Sequence, residues 1–222
     1  MNVVVAVEGK REDAVVFCAH YDTVPGSPGA DDNASGVSVL LELSVPENPE
    51  YTIFFVFFTG EETGLVESRQ FAKNFDRKVA GVICIDTVGL GKDFHISSMK
   101  ENRSDSFFLS QAVYGLSDEA SPSIGPLYSD HVPFNEIGVR AVGLTCSDNR
   151  EYPHIHSEAD VTVDGNVLLE TWKTAQEIVL HFSSSRTPYI FVYESLFFAA
   201  IISGILAIIF ENIMNSIRIL KE

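Results

Sequence analysis

The residues able to do chemistry are concentrated in a few short stretches. His20, Asp22, Asp31 and Asp32 all lie in one Gly/Pro-rich segment, 20–36. A buried carboxylate without a partner is costly, so a loop that gathers several of them has a cation to hold. Further along come the pair Glu61-Glu62, then Asp86, then two imidazoles, His154 and His156, in the segment 153–160. Singly these are weak signals. Together, imidazole plus three or more carboxylates suit a pair of divalent ions of hard to borderline character, zinc most naturally.

Convergence of these side chains requires a sheet. The apolar run 14–19 leads into His20, the run 51–58 leads into Thr59-Gly-Glu-Glu62, and the run 79–85 ends at Asp86. Each is short, β-rich and bounded by polar residues, as a buried strand is. The run 51–58 is apolar on both faces and so is expected at the centre of the sheet. Residues 139–145 form another such run ahead of 153–160, and 94–98 a further strand. The N-terminal stretch 1–8 is expected to turn through 9–13 into a hairpin, and 117–128, rich in Pro, Gly and Ser, to be loop. Helical stretches fall from Val37 to near Pro46, up to about Phe75, over 104–114 with Ser104 as N-cap, and over 164–182 with Asp164 as N-cap. The alternation predicts an α/β fold, a three-layer αβα sandwich around a mostly parallel mixed sheet. In such a sheet the strand ends line one edge, where ligands bind.

The totals narrow the function. With 15 basic and 31 acidic residues and a formal charge of -16, the chain is unsuited to nucleic acid, whose binding depends on Lys and Arg. Cys18, Cys84 and Cys146 sit in or beside apolar runs without metal-type spacing, and are expected as buried free thiols. Residues 1–185 are expected to form the domain. The segment 186–222 reads as a linker and an apolar tail, in which Glu194 is the only charge between 189 and 210. That length suits a single C-terminal transmembrane helix, and its alternative is a buried terminal helix of the domain. The opening residues lack a basic, then apolar leader, so the expectation is a membrane-associated protein with its domain facing the cytosol.

At this point the residues resemble a family, the M28 metallopeptidases, co-catalytic di-zinc aminopeptidases. The matching motifs are His20-Tyr-Asp22, Gly29-Ala-Asp-Asp-Asn-Ala-Ser-Gly36, Phe58-Thr-Gly-Glu-Glu-Thr-Gly64, Ile85-Asp86, Ser129-Asp-His-Val-Pro-Phe134 and His156-Ser-Glu-Ala-Asp160. They occur in the family's order from Val3 to about His181, and the chain is N-terminally short relative to the family. The resemblance implies peptide substrates and two zinc ions, with cobalt or manganese as substitutes. It implies that His20 and Asp86 hold one ion, Glu62 and His156 the other, and that Asp31 bridges them, with a cis peptide at Asp31–Asp32. Glu61 would be the general base, and Asp22 would fix the ring of His20 by accepting its other N–H. The family spacing selects His156 over His154 and leaves His131 a packing role. Tyr128 and Tyr152 are candidates for stabilising an oxyanion. Glutaminyl cyclases share the fold but use one zinc for acyl transfer, and the full doublets plus His156 favour two ions and hydrolysis. A non-catalytic, membrane-anchored binding protein is the third reading; no ligand position has been lost to support it.

Overall fold

The computed structural model describes residues 1–91, 94–97, 120–123, 127–146 and 152–185. The chain divides into two compact units, Met1–Arg186 and Thr187–Glu222. The proposed anchor at 189–210 and the helix expected over 104–114 lie outside the described residues. Among the described residues no helix is long and apolar enough to cross a membrane.

The first unit is built on a seven-stranded sheet. Its strands are β1 (Val3–Val7), β2 (Arg11–His20), β3 (Tyr51–Phe58), β4 (Val79–Ile85), β5 (Phe94–Ser97), β6 (Ala120–Ser123) and β7 (Ala141–Thr145), in the order β1-β3-β2-β4-β7-β5-β6. The four central strands β3, β2, β4 and β7 are parallel. β1 is antiparallel to β3 at one edge, and β5 is antiparallel to β7 towards the other. The α-helices among the described residues are α1 (Gly36–Glu42), α2 (Val66–Asn74), α3 (Val132–Glu136) and α4 (Gly165–Ser184). Asp164 caps α4 as its sequence suggests, accepting a hydrogen bond from the N–H of Asn166 at 2.8 Å.

β3 shows why two helical layers are needed, because its side chains are apolar on both faces. On one face Phe54 and Phe58 meet Phe75 and Phe71 of the α2 segment edge-on, and Phe58 also approaches Phe134 of α3. Val16, Cys18, Val82, Cys84 and Ala141 complete that core. On the other face Tyr51 meets Phe182 of α4 edge-on, at 5.8 Å between ring centroids. α4 is tied to the end of α1 through Gln176, which accepts from Ser44 N–H and donates to Ser44 carbonyl, both at 2.9 Å. Each fully buried Phe, Ile or Val contributes roughly 1.5–3 kcal/mol, so the double-sided burial of β3 fixes its central place.

Two expectations change. β1 and β2 are not a hairpin: β3 lies between them, and the connecting turn crosses the start of β3. Gly9 permits the crossing, since a side chain there would run into the backbone of Tyr51 and Thr52. The N–H of Gly9 is taken up by Thr52 Oγ1 at 3.1 Å. The segment expected as loop contains β6, paired in parallel with β5. Pro122 is tolerated there because, among the described residues, β6 pairs on one side only.

Candidate metal centre

From β2 the chain passes through α1 to β3 on one side, then through α2 to β4 on the other side of β2. That reversal opens a crevice at the carboxyl ends of these strands. Cys18 stands opposite Cys84 in the β2–β4 ladder, so His20 and Asp86, two residues beyond each, are brought level on the same face. Both are buried. β3 ends at Phe58 opposite His20. The chain then turns tightly, with the carbonyl of Glu61 accepting from Gly64 and Leu65 N–H at 2.9 and 3.0 Å. The two oxygens of Asp22 take the N–H groups of Glu61 and Glu62, each at 3.3 Å. The glutamate pair therefore sits in a braced turn at the mouth of the crevice.

Two groups of donor atoms meet there. His20 Nε2 lies 3.2 Å from Asp32 Oδ1 and 3.5 Å from Asp86 Oδ1. His156 Nε2 lies 2.9 Å from Asp32 Oδ2 and 3.2 Å from Glu62 Oε2. Asp32 thus presents one oxygen to each imidazole. Ligand atoms around a tetrahedral ion with bonds of about 2.0–2.1 Å stand about 3.3 Å apart, close to all four separations. The donor set, two imidazoles with three carboxylates, fits zinc. Among the described residues Glu62 Oε1 is buried without a hydrogen-bond partner, which also fits an oxygen with a cation to bind.

This geometry corrects the aspartate assignment: Asp32, not Asp31, stands between the imidazoles. The turn Ala30–Ser35 leaves helical geometry at Asp32 and Asn33, and the two carboxylates go to different places. Asp31 Oδ1 accepts the N–H of Gly89 at 2.6 Å, while its carbonyl accepts Ser35 Oγ–H at 2.6 Å. Gly89 is required for that approach, because a side chain would meet Val163 and the Asp31 carboxylate. The cis peptide follows Asp32, at Asp32–Asn33.

The role expected of Asp22 is divided. Its backbone carbonyl takes the hydrogen bond from His20 Nδ1 at 3.0 Å, and its carboxylate is 3.7 Å from that atom, engaged instead with the glutamate turn. A carbonyl only accepts, so His20 Nδ1 carries a hydrogen and Nε2 faces Asp32 and Asp86. Lone pairs on nitrogen and carboxylate would repel at such distances, so a proton or a metal ion must lie between them. Burial disfavours the charged ring of His20, but the charge of Asp86 and the neighbouring carboxylates of Asp22 and Asp32 outweigh it and hold the ring well above its ordinary value. Burial likewise acts to raise Asp86, and His20 outweighs it, leaving the carboxyl below its usual range. Burial, then the charge of Asp86, pushes Glu61 up to about 9. Glu62 is raised by burial and by Asp32.

The sign of the resulting pH dependence is definite. A zinc ion held at His20 Nε2 would compete with the proton that the neighbouring carboxylates favour there, and carboxylate ligands would also have to be ionised. Zinc uptake should therefore release protons, and affinity should rise by about tenfold per pH unit for each proton displaced. Calorimetric titration at pH 6 and pH 8, in buffers of differing ionisation enthalpy, measures both. Uptake with no proton release would contradict the protonated His20.

Other expected residues are placed elsewhere. The hydroxyl of Tyr128, an exposed residue, accepts from Arg69, which also pairs with Glu136. That of Tyr152 donates to Asp160 Oδ1 at 3.2 Å. His131 is fully buried against Gly143, and burial lowers it to about 4, so the ring is neutral and packs the core. His154 packs edge-on against Tyr152. Sequence reasoning gave no role to Asp130, which is fully buried; burial pushes it up to about 7. The Ser-Asp-His motif was its only signal.

A doubly wound sheet carrying an imidazole–carboxylate cluster at its reversal point defines a metal-binding α/β protein. The chain belongs to peptidase family M28, whose description matches residues 2–183. It is 35% identical over 156 residues to aminopeptidase YwaD of Bacillus subtilis, covering 63% of this chain and 33% of that protein. It is 30% identical over 179 residues to a probable leucine aminopeptidase of Arthroderma otae, covering 71% and 50% respectively. Among solved structures it resembles BSAP, a zinc aminopeptidase from Bacillus subtilis, with TM-score 0.72 and 25% identity over 85% of this chain and 51% of that one. A glutaminyl cyclase of Porphyromonas gingivalis is also similar, with TM-score 0.69 and 25% identity over 81% and 76%. The chain spans from a third to about half the length of these two curated relatives.

Proposed function

We propose that this chain is a zinc-dependent aminopeptidase that hydrolyses the first peptide bond of peptides, using two divalent ions. Zinc is the expected metal, with cobalt or manganese as substitutes. His20, Asp86 and Asp32 would hold one ion, and His156, Glu62 and Asp32 the other. The observation that carries this reading is the position of Asp32, which offers one oxygen to each imidazole.

When bound, such a pair of ions polarises the scissile carbonyl and lowers the pKa of a water. The protein's part is proton transfer and positioning. Glu61 belongs to a cluster with His20 and Asp86, so its carboxylate lies at the same centre. Its raised pKa suits it to take a proton from the attacking water and hold it for the leaving amine. A divalent cation held by these residues would act against that rise. Asp22 holds the turn that presents Glu61 and Glu62 in different directions.

The test is release of the first residue from a panel of amino-acyl amides and short peptides, one beginning with glutamine, with chelator and after zinc is restored. Metal-restored release of free amino acids is expected. Pyroglutamate formation without shortening would instead assign cyclase chemistry, in keeping with the similar cyclase fold. Silence in a chain holding both ions would make binding the working function.

A further inference from the structure

The two imidazoles are held in different ways. His20 ends a central strand and is almost fully buried. His156 lies on a turn, has left-handed backbone (φ 63°), and its side chain is 52% exposed. Something must set the distance from that turn to Asp32, which comes from a remote part of the chain.

Asp160, four residues beyond His156, is fully buried and grips the Asp32 turn. Its Oδ1 accepts from Asp31 N–H at 2.9 Å, its Oδ2 accepts from Asp32 N–H at 3.1 Å, and its backbone carbonyl accepts from Ala30 N–H at 3.1 Å. Three consecutive backbone N–H groups are thus satisfied by one residue. On its own side Asp160 is tied back to the His156 turn. Its N–H donates to Ser157 carbonyl at 3.1 Å, and Tyr152 donates its hydroxyl to Asp160 Oδ1 and Ala159 carbonyl at 3.2 and 3.3 Å. The turn is braced within itself by Ser157, whose N–H and hydroxyl both donate to His154 carbonyl. It therefore docks as a unit, and a carboxylate accepting three hydrogen bonds is the charge-assisted kind that fixes geometry.

We propose that Asp160 is a positioning residue for the second ion. It holds the His156 turn against the Asp32 turn, and so sets the affinity of the His156–Glu62–Asp32 centre while touching neither metal nor substrate. Tyr152 assists by fixing one oxygen of the Asp160 carboxylate. The inference rests on the two-ion reading above and assigns its second centre a separate control.

The test uses the full chain with Asp160→Asn and Tyr152→Phe. Asparagine keeps the size but turns an NH2 group towards one of the two backbone donors, breaking one of the two clamping bonds. Metal content is measured after dialysis against zinc buffered over a range of free concentrations, and the visible spectrum is recorded with cobalt. The wild-type chain is measured first: two ions without peptidase activity would fail the aminopeptidase reading alone, and fewer than two would remove the basis of both. With two ions in the wild type, Asp160→Asn should keep one tightly held ion and bind the second at least tenfold more weakly. Excess zinc should restore the lost turnover, with KM little changed. Tyr152→Phe should shift the second ion in the same direction by less. Retention of both ions at wild-type affinity in Asp160→Asn would overturn the proposal, and so would parallel loss of both, which marks a general structural role.

Discussion

Asp32→Ala should leave the folded chain unable to retain either ion on dialysis, whereas Asp31→Ala should keep both. Asp32 gives one oxygen to the His20 centre and one to the His156 centre, so its removal reduces two three-residue ligand sets to two residues each. Changing a residue that merely supports a ligand costs about 10–100-fold in affinity, and losing a shared ligand should cost more at both centres. Asp31 instead accepts the Gly89 N–H, so its truncation removes a hydrogen bond between two loops. That costs about 1–3 kcal/mol of stability through the donor left unpaired. Asp31→Asn should fall near wild type, because an amide oxygen still accepts from Gly89. Metal analysis beside circular dichroism and thermal unfolding separates the cases. Two ions in Asp32→Ala, with none in Asp31→Ala, would restore the bridge to Asp31.

The contrast between these neighbours shows where sequence is informative. His20, Glu62 and Asp86 follow apolar runs, and an apolar run in a parallel sheet states where its last residue will lie. The convergence of those residues was therefore legible. The Asp-Asp pair carries no such sign. Both residues fit the spacing, and the choice is made by a turn that leaves helical geometry at Asp32, with Gly89 and Asp160 claiming hydrogen bonds from the other side. Strand partnering was hidden for a related reason. Apolarity identifies β1 and β3 as strands, but only the crossing at Gly9 reveals that β3 lies between β1 and β2. β6 pairs through its backbone in a segment whose Pro and Ser suggest loop. The tyrosines are a different case: residue type allowed a catalytic hydroxyl, and only the contacts show Tyr128 with Arg69 and Tyr152 with Asp160.

Glu61→Gln should retain both ions and lose ~10²–10⁴-fold in kcat, the usual contribution of a positioned general base, with little change in KM. Glutamine preserves the shape of the side chain and leaves the backbone N–H on Asp22, so the turn that carries Glu62 should remain in place. What it removes is the capacity to accept a proton. The competing role is a direct one, because Glu61 also lies with His20 and Asp86 in a group able to hold a cation. Metal content decides between them. As a ligand, Glu61 would take one ion with it when changed; as a base, it would leave both. The pH profile adds an independent reading. Burial and the neighbouring Asp86 raise Glu61, so the acid limb of the wild-type rate should lie above that of an ordinary carboxylate. The residual rate of Glu61→Gln should lack that limb. Near-normal turnover in the doubly loaded variant would remove Glu61 from the proton path and leave the role of base to another carboxylate.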